Sequence, residues 1–163
     1  MTFAEILRLG HALAGVAFFG GMIGRWIVVG FIGRAKTIET MEILVRTARP
    51  FGLLLSGGGI SLTLLGVAAA ISLGRPLFGP LQGGRVDWMF VSVLLMLPIF
   101  FFLVRVYPRK GAAIESAMHT AMGTGALTNE LAAAWADPVL RAARTYEFIA
   151  VTVVLVLMFA KPF

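Results

Sequence analysis

Few side chains in this sequence are able to do chemistry, and three of them stand among apolar neighbours. Arg25 lies inside the run Phe3 to Ile32, about nine residues from Arg34, or roughly 13 Å along a helix. A cation at that depth needs a counter-charge, or a stem long enough to carry its head back to water. Glu147 is the one acid placed close to another apolar run, so an Arg25–Glu147 buried ion pair is expected. The competing arrangement has Arg25 reaching to phosphate while Glu147 pairs with Arg105 or Arg144. His11 shares the first run. An imidazole there can ligate haem or copper, relay a proton, or serve as a hydrogen-bonded structural group. Met158, near the end of the last run, carries a thioether that could act as a sixth haem ligand. His119 falls in a basic loop and reads as a surface residue.

Several chemistries are excluded outright. There is no cysteine, so thiol catalysis, thiolate metal sites and disulfides are all absent. Paired carboxylates, a Ser/His/Asp set, a phosphate loop and an HExxH helix are missing as well. Gly57-Gly58-Gly59 lies within an apolar run rather than after a soluble strand, so it is no nucleotide cradle. These gaps lean away from an enzyme.

The elements that must position these residues are apolar and long. Hydrophobic residues make up 59% of the 163, and charged residues only 13%, about half the usual share of a soluble domain. Four stretches carry most of that hydrophobicity. They define a single all-α domain, a four-helix transmembrane bundle, with spans at about 3–32, 51–73, 88–107 and 138–160. A bilayer core about 30 Å thick is crossed in about 20 helical residues. The first stretch is longer than the apolar part of a signal peptide and starts with Glu5 instead of a basic segment, so it reads as a retained helix.

Charge orients the bundle. Arg34, Lys36, Arg46, Arg49, Arg105, Arg109, Lys110, Arg141 and Arg144 fall on one side; Arg8, Arg75, Arg85 and Lys161 fall on the other. Nine against four places the first and third loops in the cytoplasm and both termini outside. The net charge of +6 then faces anionic lipid headgroups, and with no basic groove interleaved with aromatics, nucleic acid is not a partner. The third loop, 108–137, is partly helical. Ala112 to Met122 reads as a helix interrupted by Gly123-Thr124-Gly125. Thr128 N-caps a short helix from Asn129, and Asp137-Pro138 restarts the chain into the fourth span. Ala113, Ile114, Met118, Leu131 and Trp135 would lay this loop on the membrane surface, or it would be a linker of exposed helices.

Small residues four apart mark candidate packing faces: Gly20 and Gly24 in the first span, Gly57 and Ser61 in the second. They serve internal packing, a homodimer, or docking of another membrane subunit. Pro98, inside the third span, predicts a kink.

The C-terminal segment Asp137-Pro138 to Tyr146-Glu147, followed by Leu157-Met158-Phe159-Ala160-Lys161-Pro162, resembles a bacterial family of predicted four-helix integral membrane proteins of unknown function that end in Leu-Met-x-x-Lys-Pro. Leu9-Gly10-His11 followed by Gly20-Gly21, and Trp88 opening the third span, are similar to the same family. The resemblance implies the fold, a bacterial inner-membrane location and no activity. His11 followed by Gly20-Gly21 also resembles the HemJ-type protoporphyrinogen oxidases and the CopD copper-resistance domain. That resemblance implies haem or copper at His11. The lysine that HemJ-type proteins carry in a later helix has no counterpart within a span here.

Three functions follow as expectations. The first is a non-enzymatic accessory or scaffold subunit of a membrane complex. The second is a haem- or copper-handling redox protein using His11. The third is a small transporter with Arg25 at a polar pocket.

Overall fold

The computed structural model describes residues 1–161; Pro162, the last residue of the Lys-Pro motif, and Phe163 lie outside them. Every regular element among the described residues is helical: α1 (Phe3–Ile32), α2 (Ile38–Ser72), a 3₁₀ turn (Gly79–Gln82), α3 (Trp88–Phe101), a π segment (Phe102–Val106), α4 (Tyr107–Thr124), α5 (Asn129–Trp135) and α6 (Pro138–Ala160). Four of the helical rods are long and apolar enough to cross a membrane.

Short polar side chains start the helices. Thr2 and Glu5 form a reciprocal capping box, with the Thr2 N–H donating to the Glu5 carboxylate at 2.7 Å. Asp87 accepts from the Phe90 N–H at 2.8 Å, Thr128 from Leu131 at 3.2 Å and Asp137 from Leu140 at 3.0 Å. Each cap satisfies a backbone donor that the first helical turn leaves without a partner.

α1 and α2 form an antiparallel pair along a continuous seam. A Cβ on Gly21 would fall 2.7 Å from the Leu55 backbone nitrogen, and one on Gly58 would fall 2.8 Å from that of Phe18. Backbone cannot yield as a side chain can, so these two positions need glycine. Gly24 accommodates the Phe51 ring. Gly20 and Gly57 do not contribute, because a Cβ on either meets nothing within 4 Å, and Ser61 is exposed. The packing face is therefore one residue away from the Gly20/Gly57/Ser61 spacing expected from sequence, with Gly24 alone retained.

α3 pairs with α6. The Tyr146 hydroxyl donates to the Leu95 carbonyl at 3.0 Å, and its ring meets Phe102 edge-on. A core of Phe18, Met22, Leu55, Ile99, Ala150 and Val151 joins the two pairs.

Two features depart from the sequence reading. First, α2 begins at Ile38, so Arg46 and Arg49 are helical rather than in a loop, and α3 runs through the π segment into α4 without a break until Thr124. At 1.5 Å per residue these rods are roughly 50 Å long and project about 20 Å past a bilayer core. Gly125, at φ 69°, ends α4 in the left-handed conformation that glycine adopts freely. The projecting ends pack together: Ile32, Ile38, Met41, Ala117, Met118, Ala121 and Leu131 form a second core. Met118 and Leu131 are thus buried in protein instead of lying on the membrane surface, while Ala113 is exposed. Second, the irregularity of the third rod falls at Phe102–Val106, beyond Pro98. Pro108 has no N–H, and its ring would press on the carbonyl four residues back, at Val104. Widening that turn, with Tyr107 N–H bonded to the Phe102 carbonyl, relieves the conflict.

Candidate functional site

The π segment matters because the next residue, Tyr107, faces the one buried acid. Glu147 on α6 is 2% exposed and accepts two hydrogen bonds, from Arg25 Nη2 at 2.7 Å and from the Tyr107 hydroxyl. The Arg25 guanidinium lies 5.2 Å above the Tyr107 ring centroid, close enough for a cation–π contact. Residues distant in sequence therefore converge from α1, α4 and α6. Trp26 stacks on Phe148 at 5.1 Å, beside the ion pair, and shields it with apolar area.

Arg144 stands one turn before Glu147 on the same face of α6. Its guanidinium lies 5.0 Å over the Trp135 ring, and its Nε is buried with no hydrogen-bond partner. Among the described residues it has no carboxylate within 4.0 Å; the ion pairs there are Arg25–Glu147, Arg46–Glu42 and Lys110–Asp137. Arg105 is exposed and takes no part. Of the two guanidinium groups only Arg25 is paired with the carboxylate, and among the described residues Arg144 has no ion-pair partner.

That charge borders open space. Arg25, Tyr107 and Arg144 line a cavity of about 250 Å³ together with Gly52, Leu55, Ser56, Leu103, Gly111, Ile114 and Leu140. The volume falls just under the range of about 300–1,000 Å³ typical of whole cofactors and drug-sized ligands. It suits a charged group and its immediate substituents. On the other side of the ion pair, Met22, Trp26, Val29 and Phe148 close a cleft of about 10 Å³, too small to hold a ligand. Arg25 and Arg144 border both spaces and form the wall between them.

The joint beneath the cavity is tied by Lys110, whose Nζ donates to Asp137 at 2.6 Å. Asp137 lies outside the spans, where the Lys110 hydrogen bond first and the Leu140 N–H second hold its carboxyl below the usual range.

The other expected residues lie elsewhere. His11 Nδ1 is 2.9 Å from the Leu62 carbonyl, and the ring is seated on Gly66, where a Cβ would fall 2.8 Å from Cε1. This contact belongs to the α1–α2 seam. Met158 is half-buried on α6, and His119 is exposed. No group of three or more His, Cys, Asp or Glu side chains able to hold a metal ion occurs among the described residues. Tyr107 is the member of the site that sequence reasoning missed, and Arg144 entered that reasoning only as an alternative partner for Glu147. Arg144 had a usable signal, its position three residues before Glu147. No protein-family model, curated protein or solved structure matches the chain.

Proposed function

We propose that this protein is a small transporter-class membrane protein that binds an oxyanion, a phosphate or carboxylate group, in the cavity beside Arg25 and Arg144. One observation carries the reading: two guanidinium groups line one cavity, and the one carboxylate beside them pairs with Arg25 alone. An unbalanced cation in a low-dielectric setting is costly, and an incoming oxyanion both neutralises it and hydrogen-bonds the planar fork of Arg144. Arg25 holds the pocket wall through Glu147, and Arg144 makes the primary contact. The charge asymmetry supports an orientation with this cavity near the cytoplasmic face of a bacterial inner membrane and both termini outside.

The accessory-subunit reading draws on a different observation. Gly20, Gly57 and Ser61 form an exposed small-residue face on the α1–α2 pair, free for a second copy or another membrane subunit. The haem reading has thinner support, since His11 is engaged in the α1–α2 seam.

Calorimetric titration of detergent-purified protein with inorganic phosphate, acetate and soluble dihexanoyl phosphatidate tests the anion site. At least one binds saturably, and Arg144→Gln weakens it by about tenfold or more, the value of a charge-assisted hydrogen bond. Absence of binding by all three, or equal binding by folded Arg144→Gln, sinks the proposal.

A further inference from the structure

Resting on the anion-binding reading, we infer that the occupant is the phosphate of a bilayer phospholipid, which enters sideways between α2 and the α3–α4 rod. Depth is the first argument. Gly52, Tyr107 and Arg144 line the cavity, and each stands where an apolar span gives way to the basic side: Phe51 opens the second span, Tyr107 ends the third, and Phe148 opens the uncharged part of α6 beyond Glu147. The guanidinium groups therefore lie at the level where lipid phosphates lie, in the leaflet on the more basic side of the protein.

Access is the second argument. α2 packs along α1, and α3 along α6, with no comparable seam between α2 and the α3–α4 rod. The two walls facing across this gap carry Gly52 and Gly111, and a Cβ on either meets nothing within 4 Å. The gap stays open at headgroup level. Leu53 on α2 and Leu103 and Val104 on the rod are exposed next to lining positions and offer apolar surface to acyl chains.

The lining supplies the third argument. Leu55, Leu103, Ile114 and Leu140 make up the non-polar part of the cavity. A free hydrated anion gains nothing from four aliphatic side chains. The glycerol and first methylenes of a phospholipid bury against them, with about 25 cal/mol gained per Å² of apolar area removed from water. Charge selects the phosphate, and the aliphatic lining selects the ester that carries chains.

Delipidated protein in non-ionic detergent is titrated with four probes: dioleoyl phosphatidate, dioleoylglycerol (the same chains without phosphate), glycerol 3-phosphate (the same head without chains) and inorganic phosphate. Native mass spectrometry reads stoichiometry, and thermal denaturation reads affinity. The expected result is one phosphatidate per chain, bound about tenfold or more tighter than glycerol 3-phosphate, with dioleoylglycerol not retained. Arg144→Gln loses that lipid. Gly111→Leu provides a second variant: its Cβ meets nothing within 4 Å, leucine is the better helix former, and its side chain occupies the cavity, so a variant with parental helicity also loses the lipid. Equal binding of glycerol 3-phosphate and phosphatidate overturns the lipid inference and leaves the anion site standing. Retention of phosphatidate by both variants marks the lipid as annular and overturns the inference too. Failure of all four probes removes the lipid and the phosphate site together.

Discussion

Replacing Glu147 by Gln tests whether the buried ion pair holds the helices in place. The side chain keeps its shape but loses its charge. Both donors, Arg25 Nη2 and the Tyr107 hydroxyl, address the same oxygen, Oε2, so an amide oxygen placed there still accepts from them, and what is lost is the negative charge opposite Arg25. Breaking a buried ion pair by removing one partner costs about 3–5 kcal/mol. Arg25 is 22% exposed, so water or a headgroup recovers part of that loss. The low end, about 3 kcal/mol, is the expected cost. For a chain of this size 1 kcal/mol moves the melting temperature about 2–4 °C, which gives a fall of about 6–12 °C in detergent. Arg25→Met leaves Glu147 buried with Tyr107 alone and lowers the melting temperature at least as far. The double variant Arg25→Met/Glu147→Leu removes both charges and recovers most of the loss, because apolar replacement of a whole buried pair is often neutral or stabilising. Coupling between the two sites is then about 2–3 kcal/mol. A Glu147→Gln protein melting within about 2 °C of the parent, or a double variant whose loss is the sum of the singles, would refute the reasoning.

The remaining predictions concern other elements. Gly21→Ala and Gly58→Ala press a Cβ onto backbone and destabilise the α1–α2 pair by about 1–3 kcal/mol or more, while Gly20→Ala and Gly57→Ala are tolerated; melting temperatures of the four variants separate them. Asp137, with its folded pKa depressed, contributes stability that is present above its unfolded pKa and lost as pH falls through the folded one. Melting is thus unaffected by this group down to about pH 5 and declines below about pH 4, and Asp137→Asn, which keeps the cap on Leu140 but not the ion pair, lacks that acid limb. His11→Ala removes one hydrogen bond between α1 and α2 and costs about 1 kcal/mol. An absorption spectrum of the purified parent, oxidised and then dithionite-reduced, shows no stoichiometric Soret band; a band lost in His11→Ala would restore the haem reading.

The four spans and the Arg25–Glu147 contact were legible because each rests on scarcity. Long apolar runs have few alternatives to a membrane, and one acid near the membrane interior left one obvious partner for a buried arginine. The seam register was harder, since Gly20-Gly21 and Gly57-Gly58-Gly59 offer adjacent candidates that spacing alone does not separate. Neighbours on the helix do separate them. Phe18, Gly21, Met22 and Arg25 follow i, i+3, i+4, i+7 and share one face, so the charged residue that must point inward selects Gly21 over Gly20. The projecting ends carried the same signal. Ile38, Met41, Val45 and Ala48 are a helical stripe in a segment whose charge made it look like a loop, and Ile114, Ala117, Met118 and Ala121 are a stripe in a helix expected on the membrane surface or exposed. Tyr107 carried no comparable signal. Its position depends on where the turn before Pro108 widens, and a one-residue change in hydrogen-bond register there rotates everything that follows.

The polar cluster is also informative through what it costs. Stability alone does not call for it, because a well-packed apolar set in place of Arg25 and Glu147 would hold the helices at least as firmly. Arg144 adds a further expense, a buried Nε with no hydrogen-bond partner and, among the described residues, a cation with no carboxylate within 4.0 Å. The two arginines, Tyr107 and the cavity they line occupy the same boundary between apolar and basic segments, and Gly52 and Gly111 leave that cavity unfilled. An ion pair kept only to lock a fold needs neither a second arginine nor an opening beside it. The proposed anion site would use both: Glu147 pairs with Arg25, and the charge of Arg144 would be left for the ligand.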